Sequence, residues 1–333
     1  MCWAAYRPRT SLRHVREGVV AVVPTFHPGP RVRDLVLALH GALNSVSALE
    51  PTGRIIVTDD ASPCTFDPVL ADLAGRAGVQ VLRHAHNAGI ARGLNEGLAV
   101  AQAAGARWLL TVDQDSQITP LLLTGLLDLA EHLSMHDDRI RSDHTRRDRV
   151  GVVAPGRIED ASGVLDVPGV PYPIPTERRG AQSQRAVLQA PEVMQSGALW
   201  SVAALAAIGG FDTSLSMDGV DAAACLSLRE SGFLVLIDPD LTITHELGNP
   251  ERARSVRILG RSTRHTAHDP SRRASMIRAR LRLLPREWQQ SPSHALRTIR
   301  RVAVGAGLAV AMSPDRWEQT KATMRGIREG VRR

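Results

Sequence analysis

Four short apolar runs, separated by stretches of helical period and each ending on polar residues, constrain this chain more than any other feature. Val19–Thr25 (VVAVVPT), Arg54–Thr58 (RIIVT), Val79–Arg83 and Arg107–Val112 (RWLLTV) read as buried strands. Between them, Arg31–Ala48, Phe66–Ala77 and Gly89–Ala104 read as helices. In the first of these Val32, Leu35, Val36, Leu39 and Leu43 recur at helical spacing. A βαβαβαβ succession predicts an α/β fold with a mostly parallel sheet and right-handed crossovers. Such a sheet binds its ligand beyond the carboxyl ends of its strands.

The strand ends carry the chemistry. Strand one ends at Pro24-Thr25, strand two runs into Asp59-Asp60-Ala61-Ser62, strand three into His86-Asn87-Ala88-Gly89, and strand four into Asp113-Gln114-Asp115-Ser116. One such Asp alone is ordinarily a helix cap. Four polar ends collected on one sheet edge point to a site. In an extended segment residues i and i+2 face the same way, so Asp113 and Asp115 can share one ion, and all-oxygen ligation selects Mg²⁺ or Mn²⁺. The alternative is a capped turn with two solvated carboxylates.

Downstream, residues 137–149 form a charge-dense stretch without period, Val150–Pro155 reads as a strand, and residues 162–185 read as a long loop. A strand from Val193 into Ser196-Gly197 follows, then a helix Val202–Ile208, a turn at Gly209-Gly210, a helix Val220–Ser231 and a strand Leu234–Ile237. From about Ser271 the pattern is helical and basic.

Composition narrows the function. With 43% hydrophobic and 23% charged residues the chain can bury a core. Its 3% aromatic content argues against a protein that stacks bases along an extended surface. Three scattered cysteines, Cys2, Cys64 and Cys225, make neither a disulfide framework nor a thiolate zinc site, and fit a reducing compartment. The longest apolar stretch, Val302–Met312, is too short to span a bilayer, and the N-terminus lacks a signal-peptide core. The expectation is a cytoplasmic protein. Residues 249–333 hold 20 Lys and Arg against 6 Asp and Glu, whereas residues 1–248 hold 21 against 28. An acidic body with a basic tail suggests an anionic partner for the tail.

The segments VVPTFHPG, IIVTDDAS, HNAGIARGLNEGL, WLLTVDQDS, QSGALWSVAALAAIGGFD, MDGVDAAACLSLRESGF and ITHELG stand in the order and spacing of family 2 glycosyltransferases. Over about residues 19–250 the chain resembles this family, whose fold is the GT-A type, and within it the bacterial rhamnosyltransferases, with galactofuranosyltransferases as near relatives. The resemblance implies a division into an N-terminal extension (1–18), a catalytic domain (19–250) and a basic helical C-terminal region (251–333). The catalytic domain would have a nucleotide-sugar half at 19–116 and an acceptor half at 150–250.

It also implies roles. Pro24, Thr25, Asp59 and Asp60 would line the base end of the nucleotide, and Asn87, Gly89, Arg92 and Asn95 its ribose and diphosphate, with the helix from Gly89 aiming its N-terminus at the anion. Asp113 and Asp115 would hold Mg²⁺ or Mn²⁺ at the diphosphate, with His245 as third ligand. Asp221 would be the general base of an inverting displacement, with Asp218 as the competing carboxylate; taken alone, both read equally as helix caps. Ser196, Gly197 and Trp200 would form part of the acceptor wall.

The donor implied first is dTDP-rhamnose, then UDP-galactofuranose, and the acceptor a cell-surface glycan or lipid-linked sugar. Relatives carry an acidic residue two places after the base, and an Arg-aromatic-aromatic stretch after the His. This chain has Ala222-Ala223-Ala224 and a purely basic Ser271–Arg280 instead. A lipid-linked acceptor and the basic tail together lead us to expect peripheral contact with an anionic membrane face. Homo-oligomerisation stays open.

Two other classes fit the sequence less well. A sugar-phosphate nucleotidyltransferase needs a Gly-rich phosphate loop with Arg and Lys after strand one, where this chain has PTFHPGPR. A nucleic-acid-binding protein fits the tail's charge, but Trp288 and Trp317 are the tail's only aromatics and no nucleic-acid module is present.

Overall fold

A computed structural model describes residues 18–46, 55–139, 149–160, 163–172, 186–215, 217–246, 254–258, 261–265, 268–313 and 315–332. The expected N-terminal extension (1–18, all but Gly18) and the charged stretch at 140–148 lie outside these.

The first half is β1 (Val19–Thr25), α1 (Arg31–Val46), β2 (Ile55–Asp59), a 3₁₀ turn (Cys64–Phe66), α2 (Asp67–Ala74), β3 (Val79–Arg83), α3 (Ile90–Ala103) and β4 (Trp108–Thr111). β1, β2 and β4 are almost wholly buried, as their β-branched and aromatic content requires. β3, β2, β1 and β4 pair in that order, all parallel, so their carboxyl ends share one edge. α3 lies on this sheet through glycines. A Cβ at Gly97 would stand 2.6 Å from the Val22 side chain, so the helix touches β1 only because that position is bare.

The chain continues with β5 (Ser116–Gln117), α4 (Pro120–Arg139), β6 (Arg149–Asp160), β7 (Gly163–Asp166), β8 (Val170–Tyr172), β9 (Val187–Gln189), β10 (Ala198–Ser201), α5 (Val202–Ala207), α6 (Val220–Glu230) and β11 (Phe233–His245). β10 inserts antiparallel between β4 and β6, and β11 follows parallel to β6. The result is a mixed, mostly parallel sheet with two apolar layers, one under α1 and α4 and the other under α3, α5 and α6.

Four readings need correction. α4, at Pro120–Arg139, was not anticipated, although Leu122, Leu123, Leu126, Leu127 and Ala130 form its buried stripe. The stretch at 162–185 is not wholly loop, because β7 pairs with β6 and β8 with β9. Ser196-Gly197 precedes strand β10 rather than ending one: Gly197 has φ +75°, a turn conformation. The strand read as Leu234–Ile237 is far longer, Phe233–His245.

The basic region begins with a hairpin, β12 (Arg254–Ile258) and β13 (Arg261–His265), and then forms three helices, α7 (Pro270–Gln290), α8 (Pro292–Met312) and α9 (Arg316–Val331). α7 packs on both other helices and on α6. Its buried side is Arg273, Ala274, Ile277, Ala279, Leu283 and Glu287. Of the stripe Met276, Ile277, Leu281 and Leu284 that apolarity at helical spacing suggests, Ile277 is buried and the other three are half-buried.

Candidate active site

The loops after β1 and β2 form one corner. Among the described residues, His27 (φ 52°) and Ala61 (φ 62°) are the two non-glycine residues in the left-handed region, and both sit here. Backbone held in such conformations clusters at functional sites. The Phe26 and His27 rings stack at 4.0 Å, and His27 stacks on Phe66 at 5.1 Å. Gln114 clamps Phe26, accepting from its amide at 3.1 Å and donating to its carbonyl at 3.0 Å.

Thr25 Oγ1 donates to Asp59 Oδ1 at 3.4 Å, with Pro24 beside it half-buried. Asp59 is fully buried, and both its oxygens accept from Ser62, its amide on Oδ2 and its hydroxyl on Oδ1. Asp59 thus closes the loop back on Ser62 and caps no helix, since the 3₁₀ turn is capped by Pro63 and α2 by Phe66, neither through a side-chain bond. Asp60 also turns inward. It accepts from the Ala88 amide at 2.7 Å and the Gly89 amide at 2.9 Å, and meets His84 Nδ1 at 2.9 Å. The helix N-terminus expected to face the diphosphate thus has a carboxylate of the chain itself on these two amides. His84 also reaches Glu96; burial works to lower its pKa, but the two carboxylates outweigh this and raise it.

Asn87 and Arg92 remain exposed on this edge, Arg92 leaning on Glu96 at 3.2 Å. Asn95 does not. Its amide donates to the Phe211 carbonyl and accepts from the Phe211 amide, both at 2.8 Å, so it staples α3 to the Gly209-Gly210-Phe211 turn.

The second corner gathers Asp113, Asp115 and His245, whose ligand-type atoms all lie within 4.8 Å of one another. They converge by a route different from strand alternation. β4 ends at Thr111, the chain turns so that the Ser116 amide reaches the Asp113 carbonyl at 3.0 Å, and β5 then pairs antiparallel with the end of β11, placing His245 opposite Ser116. His245 Nδ1 lies 2.7 Å from Ser116 Oγ and 3.3 Å from Asp115 Oδ1, and its Nε2 is 3.9 Å from Asp113 Oδ2.

Supports hold the group in place. Ser196 Oγ accepts from the Asp113 amide at 2.9 Å and shares a 2.6 Å hydrogen bond with Ser116 Oγ, and Gln195 Nε2 donates to Asp113 Oδ1. Burial raises the Asp113 pKa. At Asp115 burial acts upward too, but His245 overrides it and the carboxyl is held low. Two oxygens and an imidazole nitrogen form a donor set that Mn²⁺ and Mg²⁺ accept.

Three acceptor-wall expectations change. Ser196 is fully buried under Asp113, a Cβ at Gly197 would stand 2.5 Å from the Ile243 side chain, and Trp200 is fully buried in the core. The Trp200 indole donates to Thr111 Oγ1 at 2.8 Å and its ring meets Phe211 edge-on at 5.3 Å. A fully buried Trp with its N–H paired offers no surface to a sugar.

The third corner is the start of α6, where Gly219 caps the helix in the left-handed conformation (φ 83°). The two candidate carboxylates separate here. Asp218 lies 3.5 Å from Arg272 Nε of α7. Asp221 Oδ1 accepts from the Ala222 amide at 2.8 Å and makes no ion pair within 4.0 Å among the described residues. Burial pushes Asp221 up to about 6, with Arg280 opposing and the charges of Glu192 and Asp113 adding to the rise. Sequence reading missed Gln195, Ser116, His84, Glu192 and Arg280. For Ser116, its place beside the Asp-Gln-Asp turn was a usable signal; the others are assembled by tertiary contacts.

Comparison with known proteins agrees with this geometry. Residues 21–138 match Glycosyl transferase family 2. The dTDP-rhamnosyl transferase RfbF of Shigella flexneri is 23% identical over 327 residues, covering 96% of this chain and 97% of that protein. Among solved structures, the mannosyltransferase PcManGT from Pyrobaculum calidifontis, in complex with GDP-Man and Mn²⁺, superposes with TM-score 0.53 at 12% identity, over 99% of this chain and 90% of that one. GalNAc-T7 with UDP, GalNAc and Mn²⁺ gives 0.50 at 12% identity over 79% of this chain, which spans only 47% of that longer protein. The parallel sheet, the carboxylate–histidine group at its edge and these likenesses make the chain a glycosyltransferase on a GT-A-like fold, similar over residues 21–138 to family 2.

Proposed function

We propose that the protein is an inverting glycosyltransferase that moves rhamnose from dTDP-rhamnose to a glycan or lipid-linked acceptor. The observation that carries this reading is the pairing of the Asp113–Asp115–His245 group with a carboxylate, Asp221, that makes no ion pair among the described residues and on which the charge of Asp113 acts. The near full-length likeness to a dTDP-rhamnosyl transferase supports the choice of donor. UDP-galactofuranose is the second choice.

Asp113, Asp115 and His245 would hold Mn²⁺ or Mg²⁺, which when bound offsets the charge of the departing diphosphate. Thr25 and the aromatic stack of Phe26 and His27 would wall the base end, and Asn87 and Arg92 the ribose and phosphates. Asp221 takes the proton of the acceptor hydroxyl, whose oxygen forms a bond to the anomeric carbon. The bond from that carbon to the phosphate oxygen breaks on the opposite face, and the nucleoside diphosphate leaves with the electron pair, so configuration inverts.

The test is nucleotide release from a panel of UDP-, dTDP- and GDP-sugars with Mn²⁺ or Mg²⁺. Release from dTDP-rhamnose well above the others is expected, and turnover of a UDP- or GDP-sugar alone would displace this donor.

No helix among the described residues is long and apolar enough to cross a membrane. We place the protein in the cytoplasm, with peripheral contact through α8 and α9. Their outer faces expose Leu296, Ile299, Val304, Trp317, Met324 and Ile327. Arg297, Arg300, Arg301, Arg316, Lys321, Arg325 and Arg328 are exposed on the same two helices. Each basic residue near an anionic surface contributes about 1 kcal/mol. Co-sedimentation with anionic vesicles at low salt is expected, with loss at high salt, on neutral lipid, and in a Trp317→Ser/Met324→Ser variant. Equal binding to neutral and anionic vesicles would refute the contact.

A further inference from the structure

The C-terminal helices do more than pad the catalytic sheet. α7 runs beside the start of α6 so closely that a Cβ at Gly219 would stand 2.9 Å from the Ala279 side chain. Gly219 is two residues before Asp221, and Ala279 is one residue before Arg280. Arg272 and Arg280 are eight residues apart, about 12 Å along the axis of α7 and about 80° around it. Arg272 meets Asp218 at one end. At the other, Arg280 Nη1 is ion-paired with Glu192 Oε2, in the segment between β9 and β10. Arg301 of α8 takes the second oxygen, Nη1 to Oε1 at 3.2 Å. Glu192 is thus locked on both oxygens by the C-terminal helices.

Glu287 and His294 complete a cluster with Glu192 whose ligand-type atoms lie within 4.8 Å of one another. Two guanidiniums already neutralise Glu192, so this cluster serves as an ion-pair network rather than a cation site.

We propose that Arg280, fixed by Glu192, is a positioning residue for Asp221, so that the basic C-terminal region completes the base end of the active site. The inference rests on Asp221 being the base. The groups acting on Asp221 come from several elements: Arg280 from α7, Glu192 from the β9–β10 segment, Asp113 from the end of β4, and the Ala222 amide from α6 itself, while the Cys225 thiol of α6 is in turn raised by Asp221. Arg280 is the cation among them, and burial is what it offsets. Glu192 does two opposed things: it holds Arg280 in place and adds a negative charge of its own.

The opposed signs make the test. In full-length protein labelled at the aspartate carboxyl carbon, the resonance missing from Asp221→Asn reports Asp221, and its pH midpoint is read without substrate. Arg280→Met removes the cation, and the midpoint is expected to rise by about half a unit or more. Arg280→Lys keeps a cation there, and the midpoint is expected to stay near wild type. Glu192→Gln removes the negative charge but keeps an amide oxygen that accepts from Arg280, so the cation stays in place and the midpoint is expected to fall. The acidic limb of nucleotide release from dTDP-rhamnose should move with each midpoint.

A midpoint unmoved in both Arg280→Met and Glu192→Gln, or moved the same way in both, overturns the proposal. If Arg280→Met does not fold, Arg280→Gln, a neutral side chain that keeps a hydrogen bond to Glu192, takes its place, and the same rise is expected. The Asp221→Asn enzyme separates the two layers. If it turns over normally, the base assignment fails and this inference falls with it. If it is silent while the midpoints stay put, only the role of Arg280 is lost.

Discussion

Asp221→Asn should lower turnover by roughly 10² or more while donor binding persists, the scale expected when a general base loses its proton affinity without losing its shape. The amide keeps an oxygen for the Ala222 amide, so α6 should start as before. In the wild type, burial holds the Asp221 carboxyl near 6. A base acts only when ionised, so turnover should rise about tenfold per unit below pH 6 and level off above it. The variant should lack that limb. Asp218→Asn, whose partner is Arg272, should lose far less. Kinetics and isothermal titration with the donor nucleotide separate the two, and a silent Asp218→Asn beside an active Asp221→Asn would reverse the assignment.

Asp115→Ala should cut Mn²⁺ affinity and turnover together, turnover by about 10² or more, because the charge of the leaving diphosphate is then left unbalanced. Asp115 is exposed, and its recorded contact is with His245, so its removal should leave the melting temperature within a few degrees of wild type. Ser196→Ala should behave differently. Ser196 is buried, and its loss strips the Asp113 amide and Ser116 of a partner. Metal titration of the two variants distinguishes loss of a ligand from loss of its support. Full turnover by Asp115→Ala in chelator-treated buffer would end the metal assignment.

The first four strands and the sheet edge were legible because local pattern sets them: β1, β2 and β4 are apolar runs whose period and β-branching leave little choice. The Asp113–Asp115 pair was legible from its spacing after a buried strand, although the chain turns there rather than staying extended. His245 was reached through resemblance, because the β5–β11 pairing that brings it in lies in no window around residue 113. Asp60, Asn95 and Trp200 were misplaced for a related reason. Asp60 follows β2, Trp200 lies in β10 and Asn95 in the second turn of α3, positions where ligand contact and internal bonding look alike in sequence. Only the tertiary partners, the Ala88 and Gly89 amides, Phe211 and Thr111, decide between them. α7 was legible as a helix but not for what it brings, since Arg280 finds Glu192 across 88 residues of chain.

The placement of β10 also has a consequence for biosynthesis. This strand lies between β4 and β6, yet its register partners on β4 precede it by up to 93 positions and as few as 87. Until Ser201 has left the ribosome, a nascent chain has β3, β2, β1 and β4 in hand but no strand for the outer edge of β4. That edge is Trp108-Leu109-Leu110-Thr111, which invites pairing with another chain while bare. Pairings of such long separation close late and slowly. The family-matched segment 21–138 therefore ends before the strand that covers this edge of β4. Fragments ending between residue 139 and residue 198 should aggregate through β4, and productive folding waits for about the first 200 residues to emerge together.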